Sequence, residues 1–329
     1  MRKAAGVIAA LSMVFLTMGY CDVFAADSPH LRLGLVKFGS AAWEIDTMRH
    51  HGYDSAAGIA IDSVDLANPA AGEVALQAGG ADAILTDWLW VSRQRAAGQR
   101  ITFVPHFSTL GEIMVAADSP IRRVEDLAGK RLGIAGGPDD KSWQLLRAYG
   151  RHRLGYDPAE RLQAVYAAPP LLSRELAGGR IDAVLTYWPF AARLAVQGFR
   201  KVAGMSDIMA ELGFDKPVAL LGYGVTDSWI AANPGGLQKF LAALNRADAE
   251  MTRSGGEWER LRPLTAAEDE ATLEALRRRF CAGLVTDWGP GEEAAAARLF
   301  SLLIENGEPR QTGGGGQITA GTFWSEKGR

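Results

Sequence analysis

Apolar runs of strand length alternate with amphipathic stretches of helix length along most of the chain. Strands are predicted at 31–36, 58–66, 81–86, 131–135, 162–167 and 181–186, with helices between them. This alternation is typical of an α/β fold, and runs of this kind favour mainly parallel sheets.

Two segments of the chain are nearly the same. "ADAILTDW" occupies 81–88 and "IDAVLTYW" occupies 181–188, and the elements around the second segment repeat those around the first in order. An internal repeat of this size indicates two related half-structures. We therefore predict two similar lobes whose corresponding strand ends face each other across a cleft.

The C-terminal third of the chain is predicted to be helical. Thr265 and Glu268 have the spacing of a capping box at the start of one helix. Phe323 and Trp324 in the tail are expected to pack back onto a lobe. We assign these helices a packing role and no chemistry.

The N-terminus has the order of a secretory signal. Arg2 and Lys3 precede an apolar run over 4–19, and small residues follow at 25 and 26. We predict a signal peptide over 1–26 and an exported, soluble mature protein, because the apolar run is shorter than the ~20 residues of a membrane-spanning helix. Lipidation of Cys21 is the alternative, disfavoured by the bulky Tyr20.

Charge and cysteine content narrow the function classes. The formal net charge is −3, and basic residues do not cluster as a nucleic-acid interface requires. Removal of the signal leaves Cys281 without a cysteine partner. We expect it to be free, buried and inert.

Several segments resemble a known family. "NPAAGEVALQAGGADAILTDW", "IRRVEDLAGKRLGIAGG" and "GGRIDAVLTYWPFAA" are similar to the periplasmic substrate-binding proteins of nitrate, taurine, sulfonate and thiamine-precursor ABC importers. The resemblance implies a two-lobed periplasmic binding protein fold (type II), each lobe a mainly parallel sheet flanked by helices. It also implies a monomer that delivers a small molecule to an inner-membrane permease and its ATPase. Lobe 1 would comprise 27–116 and 224–329, and lobe 2 would comprise 117–223.

The predicted site lies at the carboxyl ends of the strands, where ligands bind in open α/β sheets and helix N-termini present free N–H groups. Pocket and core are equally good interpretations of Trp88 and Trp188, whereas Trp90 and Trp143 are expected in the core. The candidate ligand-binding residues are Lys37, Ser40, Trp43, Thr86, Asp87, Trp88, Gly137, Asp139, Thr186, Tyr187, Trp188 and Tyr223.

The charges in these loops favour one class of ligand. Asp87, Asp139 and Asp140 oppose an anion, so an amine-bearing or heteroaromatic metabolite is preferred over a plain sulfonate; a metal ion stays open as the ligand. Asp139 or Asp140 could instead cap the following helix. Asp87 has no capping role in this interpretation.

Enzyme motifs are missing from the sequence. It contains no G-x-S-x-G or H-E-x-x-H segment and no phosphate-binding loop. His50 and His51 are adjacent, which makes them a poor metal chelate on a helix. We predict no catalytic residue, metal ligand or cofactor. An enzyme of the pyrimidine-synthesis or desulfinase type, or the binding subunit of a membrane sensor, remains as an alternative.

Overall fold

The computed structural model describes residues 28–37, 39–216, 218–306 and 316–325. Within these ranges the chain forms two five-stranded sheets flanked by helices. The predicted signal peptide and Cys21 lie outside the described residues. No helix in the described ranges has the length and apolar character needed to cross a membrane.

The first sheet has the strand order β2-β1-β3-β10-β4. Strands β1, β2 and β3 are parallel, whereas β10 is antiparallel to both β3 and β4. The bounds are β1 His30–Val36, β2 Ala60–Leu66, β3 Ala83–Asp87, β4 Ile101–Phe107 and β10 Leu221–Thr226.

The second sheet has the corresponding order β7-β6-β8-β5-β9. Strand β6 is parallel to β7 and β8, and β5 is antiparallel to β8 and β9. The bounds are β5 Glu112–Val115, β6 Arg131–Ala135, β7 Gln163–Ala167, β8 Ala183–Thr186 and β9 Arg200–Gly204. The predicted strands are therefore present, and the two halves repeat the same topology.

In each sheet, the fourth strand in the order is the one that the chain forms after it crosses from the other sheet. The chain leaves the first sheet after β4 and enters the second as β5; it returns after β9 and enters the first as β10. The segments 112–120 and 218–227, where the resemblance implies the crossings, thus contain strands that belong to the sheets. The lobe boundaries at 116/117 and 223/224 stay a prediction.

The helices cover the sheets and form most of the C-terminal region. Their bounds are α1 Ala41–His50, α2 Tyr53–Ala57, α3 Pro69–Gln77, α4 Trp88–Ala96, α5 Lys141–Tyr149, α6 Pro158–Arg161, α7 Pro169–Ala177, α8 Trp188–Val196, α9 Met205–Glu211, α10 Asp227–Ala232, α11 Gly236–Arg253, α12 Gly255–Thr265, α13 Glu270–Gly283 and α14 Pro290–Glu305.

The predicted capping box at Thr265 is wrong. Helix α12 continues to Thr265, whose hydroxyl donates to the Arg262 carbonyl at 2.9 Å. Asp269 caps the next helix instead, accepting from the Thr272 N–H at 2.7 Å. Because α12 ends at Thr265, the N-cap of α13 falls at Asp269.

Aromatic packing agrees with the core predictions. Trp90 and Trp143 are buried, and Phe323 in the tail packs against Trp88 with ring centroids 6.0 Å apart.

Cys281 is a free, half-buried thiol whose pKa is raised by burial. A raised pKa keeps the thiol protonated and unreactive.

Candidate functional site

The facing ends of β3 and β6 are joined by an ion pair. Lys141, the first residue of α5, has its Nζ 3.3 Å from Oδ2 of Asp87, the last residue of β3. The exposed fractions of the two side chains are 15% and 4%. The contact links the first sheet to a helix of the second lobe, so the lobes meet at this point.

Asp87 also caps helix α4. Its Oδ1 accepts a hydrogen bond from the Trp90 N–H at 2.8 Å. The prediction that Asp87 has no capping role is therefore wrong, because β3 runs into α4 without a loop and leaves residue 87 at the N-cap. One carboxylate oxygen holds the helix and the other faces Lys141.

Four carboxylates share this region, and we call Glu73, Asp87, Asp139 and Asp140 the acidic cleft group. Burial, with the charges of Asp87 and Asp139, raises the pKa of Glu73 to about 7, although Lys141 opposes the rise. Burial also raises the pKa of Asp140 to about 6. Burial is the main cause of both shifts; Lys141 opposes both of them, and Arg93 opposes that of Glu73.

Asp140 was singled out from the sequence, whereas Glu73 was not. Asp140 caps α5 by accepting from the Trp143 N–H at 3.0 Å, as the capping alternative predicted. Glu73 lies on α3 and was not among the sequence candidates. The sequence signal that could have found Glu73 is the short connection between β2 and α3. Helix α3 begins after its N-cap residue Asn68, and this places Glu73 near the strand ends.

A pair of tryptophans spans the two lobes. Trp43 on α1 and Trp188 at the start of α8 have ring centroids 5.8 Å apart in an edge-to-face arrangement. Trp43 also contacts Trp258 and Phe280. The two tryptophans are almost fully buried, with exposed fractions of 4% and 6%. Their contact closes the space between α1 and α8.

Trp88 and Tyr223 lie in the core of the first lobe. Trp88 has an exposed fraction of 0% and contacts Phe300 as well as Phe323. Tyr223 is also fully buried and its hydroxyl lies 3.4 Å from the Glu44 carboxylate. The structure therefore brings neither ring to the cleft, because α14, the tail and α1 cover them.

The remaining candidates vary in exposure. Ser40, Thr86 and Thr186 are buried at or beside strand ends, and the Thr186 hydroxyl has no hydrogen-bond partner. Lys37, Gly137 and Asp139 lie in exposed or half-exposed loops. Tyr187 is half-buried, and burial together with the Asp140 charge raises its pKa.

Gly136 allows the Tyr187 hydroxyl to approach the β6–α5 loop. Its φ is +89°, in the left-handed region that favours glycine, and a Cβ there would lie 2.6 Å from Tyr187 Oη. Any larger residue would clash with the ring and strain the loop. The β6–α5 loop and the start of α8 are therefore held together.

Further polar contacts join the C-terminal helices to the second lobe. Arg279 on α13 donates to both carboxylate oxygens of Glu112 on β5, at 2.9 and 3.3 Å. Helix α13 also packs against α8. Together with the Lys141–Asp87 pair, these contacts describe two lobes closed on each other.

The architecture is similar to solved binding proteins. The alkanesulfonate-binding protein SsuA from Xanthomonas axonopodis pv. citri, bound to MOPS, has a TM-score of 0.72 at 20% identity, covering 91% of this chain and 99% of its own. The periplasmic aliphatic sulphonate-binding protein SsuA from Escherichia coli has a TM-score of 0.70 at 18% identity, covering 90% and 92%. These likenesses confirm the two-lobed periplasmic binding protein fold.

A third structure shows this fold with another kind of ligand. A mutant of DSZB in complex with biphenyl-2-sulfinic acid has a TM-score of 0.57 at 17% identity, covering 86% of this chain and 96% of its own. At such identities the likeness concerns the fold alone.

No curated protein matches the sequence, but a family model does. The family model of NMT1/THI5-like proteins matches residues 47–254, which is more than half of the chain and includes strands of both sheets. This agrees with the resemblance found in the sequence segments. The chain therefore belongs to the NMT1/THI5-like family.

Proposed function

We propose that this protein is an extracytoplasmic solute-binding protein that captures a small metabolite between its lobes. It then delivers the ligand to an ABC permease powered by its ATPase. The two-lobed fold, the family and the likeness to SsuA proteins support this role. The protein would act as a periplasmic monomer after removal of residues 1–26.

The ligand we propose is an amine-bearing or heteroaromatic molecule. The observation that carries this choice is the acidic cleft group, whose four carboxylates outnumber the two cations, Lys141 and Arg93, that lower the pKa of Glu73. A sulfonate placed there would be repelled by partly desolvated carboxylates, whereas an ammonium would be attracted. The edge-to-face tryptophan pair could accept a flat ring or a cation over a ring face.

The proposed ligand contacts follow from this placement. Trp88 and Tyr223 are left out because both rings are enclosed by other elements, whereas Trp43 and Trp188 contact each other between the lobes. Glu73, Asp140 and Lys141 are added because their charges interact with the charge of Asp87. The sequence candidates that we retain are Lys37, Ser40, Trp43, Thr86, Asp87, Gly137, Asp139, Thr186, Tyr187 and Trp188.

Ligand binding would involve the same carboxylate, Asp87, that joins the two lobes through Lys141. A ligand shifts the equilibrium between open and closed forms only through its different affinity for the two. In the closed form described here, the Lys141 ammonium already neutralises Asp87. A cationic ligand would compete for that carboxylate, so we propose that Lys141 turns away when the ligand binds.

Sheet membership supports revised lobe boundaries. Because β5 belongs to the second sheet and β10 to the first, the crossings would lie at about 108–111 and about 212–220. The revision keeps the second lobe inserted into the first. It moves the first boundary upstream of Glu112.

Mass spectrometry of small molecules released from the exported protein tests the proposed function. The mature chain is purified without added ligand and denatured, and the released compounds are identified. We expect an amine-bearing or heteroaromatic compound, which is recovered unchanged after incubation with fresh protein. Recovery of a sulfonate would contradict the ligand class, and recovery of a reaction product would contradict the binding role.

The enzyme alternative rests on the fold shared with the DSZB mutant. A desulfinase of this fold would be expected to use a cysteine near the first strand–helix loop. Cys281, the free cysteine of the described residues, lies on α13. The incubation above separates this alternative from binding, and a neighbouring permease gene would separate transport from sensing.

A further inference from the structure

A second polar cluster lies inside the first lobe, outside the acidic cleft group. Glu44 on α1, His106 on β4 and Asp248 on α11 face one another, and we call them the buried triad. One ligand atom from each lies within 4.8 Å of the others. His106 Nε2 contacts Glu44 Oε1 directly, and the Tyr223 hydroxyl lies 3.4 Å from Glu44 Oε2.

The surroundings of the buried triad are apolar. Glu44 has an exposed fraction of 0% and His106 of 5%. The nearby core on α1, α11 and the first sheet includes Ile45, Met48 and Phe240. Two carboxyl groups in such a place are costly unless positive charge or hydrogen bonds compensate them.

Compensation by protein groups is incomplete. Among the described residues, neither Glu44 nor Asp248 forms a salt bridge with a lysine or an arginine. Oδ1 of Asp248 is buried and has no hydrogen-bond partner. The triad therefore requires either bound protons or a bound cation.

The donor atoms suit a particular class of cation. One imidazole nitrogen and two carboxylate oxygens match Zn²⁺ and its neighbours among the divalent transition metals; Ca²⁺ and Mg²⁺ prefer oxygen ligands alone. A tetrahedral ion with bonds of about 2.1 Å separates its ligand atoms by about 3.4 Å. The ligand atoms of the triad lie within 4.8 Å of one another, so small side-chain shifts would be needed to reach this spacing.

The three residues are held on separate but packed elements. Helices α1 and α11 pack against each other, and β4 belongs to the first sheet. Asp248 is partly exposed, whereas Glu44 and His106 are buried. These positions form a site that a small shift of side chains would complete.

We propose that Glu44, His106 and Asp248 bind one divalent transition-metal cation between α1, α11 and the first sheet. The ion neutralises both carboxylates and joins the two helices to the sheet, so its role is to stabilise the first lobe. The proposal is independent of the ligand proposed for the cleft, because the triad and the acidic cleft group share no residue.

Metal titration of the untagged mature protein tests this proposal. The protein is treated with a chelator and dialysed, then titrated with Zn²⁺ by calorimetry, with Ca²⁺ as the comparison ion. Bound zinc is counted by elemental analysis. We expect one equivalent of Zn²⁺, a higher melting temperature, and no comparable effect of Ca²⁺. Absence of a stoichiometric zinc site would overturn the proposal and leave shared protons as the compensation.

Variants localise the bound metal. His106→Gln and Asp248→Asn are each expected to lower zinc affinity at least tenfold. His51→Gln is the matched control, because His51 also contacts a glutamate, Glu257 at 3.0 Å, outside the triad. Wild-type affinity in the triad variants, or loss of zinc in the control variant, would contradict the assignment.

A spectroscopic probe covers the case in which the triad variants do not fold. Wild-type protein is loaded with Co²⁺, and the visible absorption of a low-coordinate nitrogen- and oxygen-bound ion is expected. A spectrum of hexaaqua Co²⁺ would show that no interior site forms. Circular dichroism and thermal unfolding of each variant establish which ones fold.

Discussion

Trp88 and Trp188 occupy equivalent places in the repeated segments and have different surroundings. Each is the first residue of the helix that follows a strand. Trp88 is enclosed by Phe300 and Phe323 from the C-terminal region, whereas Trp188 meets Trp43 across the lobes. The repeat therefore determines the backbone position, and segments outside the repeat determine what each ring does.

The preceding residues differ in the same way. Asp87 caps α4 and contacts Lys141 from the other lobe. Tyr187, its counterpart, makes no side-chain cap for α8 and instead approaches Gly136. One half of the repeat thus supplies a charge to the cleft and the other supplies a phenol.

Trp88→Ala is expected to have the largest effect on stability. Removing a fully buried tryptophan leaves a cavity, which costs about 3–5 kcal/mol of the free energy of unfolding. Urea unfolding of the protein without ligand measures this loss. A loss below about 1 kcal/mol would show that the core assignment of Trp88 is wrong.

Trp188→Ala is expected to act more strongly on binding than Trp88→Ala does. The lost contact with Trp43 weakens the closed form, and we expect the ligand dissociation constant to rise about tenfold, or ~1.4 kcal/mol. Calorimetric titration of both folded variants with the recovered ligand makes the comparison. Equal affinity in the two variants would remove the functional difference between the rings.

Two substitutions of Asp87 separate its capping role from its charge. Asp87→Asn retains a good cap and removes the charge that faces Lys141, so its loss of stability measures the ion pair. Asp87→Ala also removes the cap of α4 and is expected to cost ~1 kcal/mol of unfolding free energy more than Asp87→Asn. Both should weaken binding of a cationic ligand severalfold. Asp182→Asn, at the repeat position of Asp82, is the control with no expected effect on binding.

The raised pKa of Glu73 predicts a modest pH dependence. Because its folded pKa is about 7 and its ordinary value is 4.5, the group opposes folding increasingly as pH rises from ~4.5 to ~7. Its ionisation also attracts cations, so affinity for a permanently charged ammonium ligand should rise severalfold from pH 5.5 to 8. Glu73→Gln should reduce that rise. An affinity that falls with pH would contradict the cationic ligand.

The sequence predicts elements well because their signals are local. Hydrophobic periodicity located the strands around the repeat, and it placed Trp90 and Trp143 in the core. The two-lobed fold followed from the repeat and the family resemblance. These features depend on neighbouring residues in the chain.

The sequence could not predict contacts made by distant segments. The surroundings of Trp88 depend on Phe300 and Phe323, more than two hundred residues away. The buried triad joins positions 44, 106 and 248, and no local pattern connects them. Asp87 caps α4 because this helix follows β3 directly, with no loop residues between them. Such contacts follow from the fold and not from periodicity.

Closure of the lobes on an amine-bearing or heteroaromatic ligand at the acidic cleft group can be measured by thermal unfolding. The mature protein is unfolded in the presence of amines, amino-pyrimidines, amino acids and sulfonates. We predict stabilisation of ~2.7 kcal/mol by a cationic or heteroaromatic compound at one hundred times its dissociation constant, with a smaller shift for Asp87→Asn. Stabilisation by sulfonates alone, undiminished in Asp87→Asn, would show that the ligand is an anion that does not depend on the Asp87 charge.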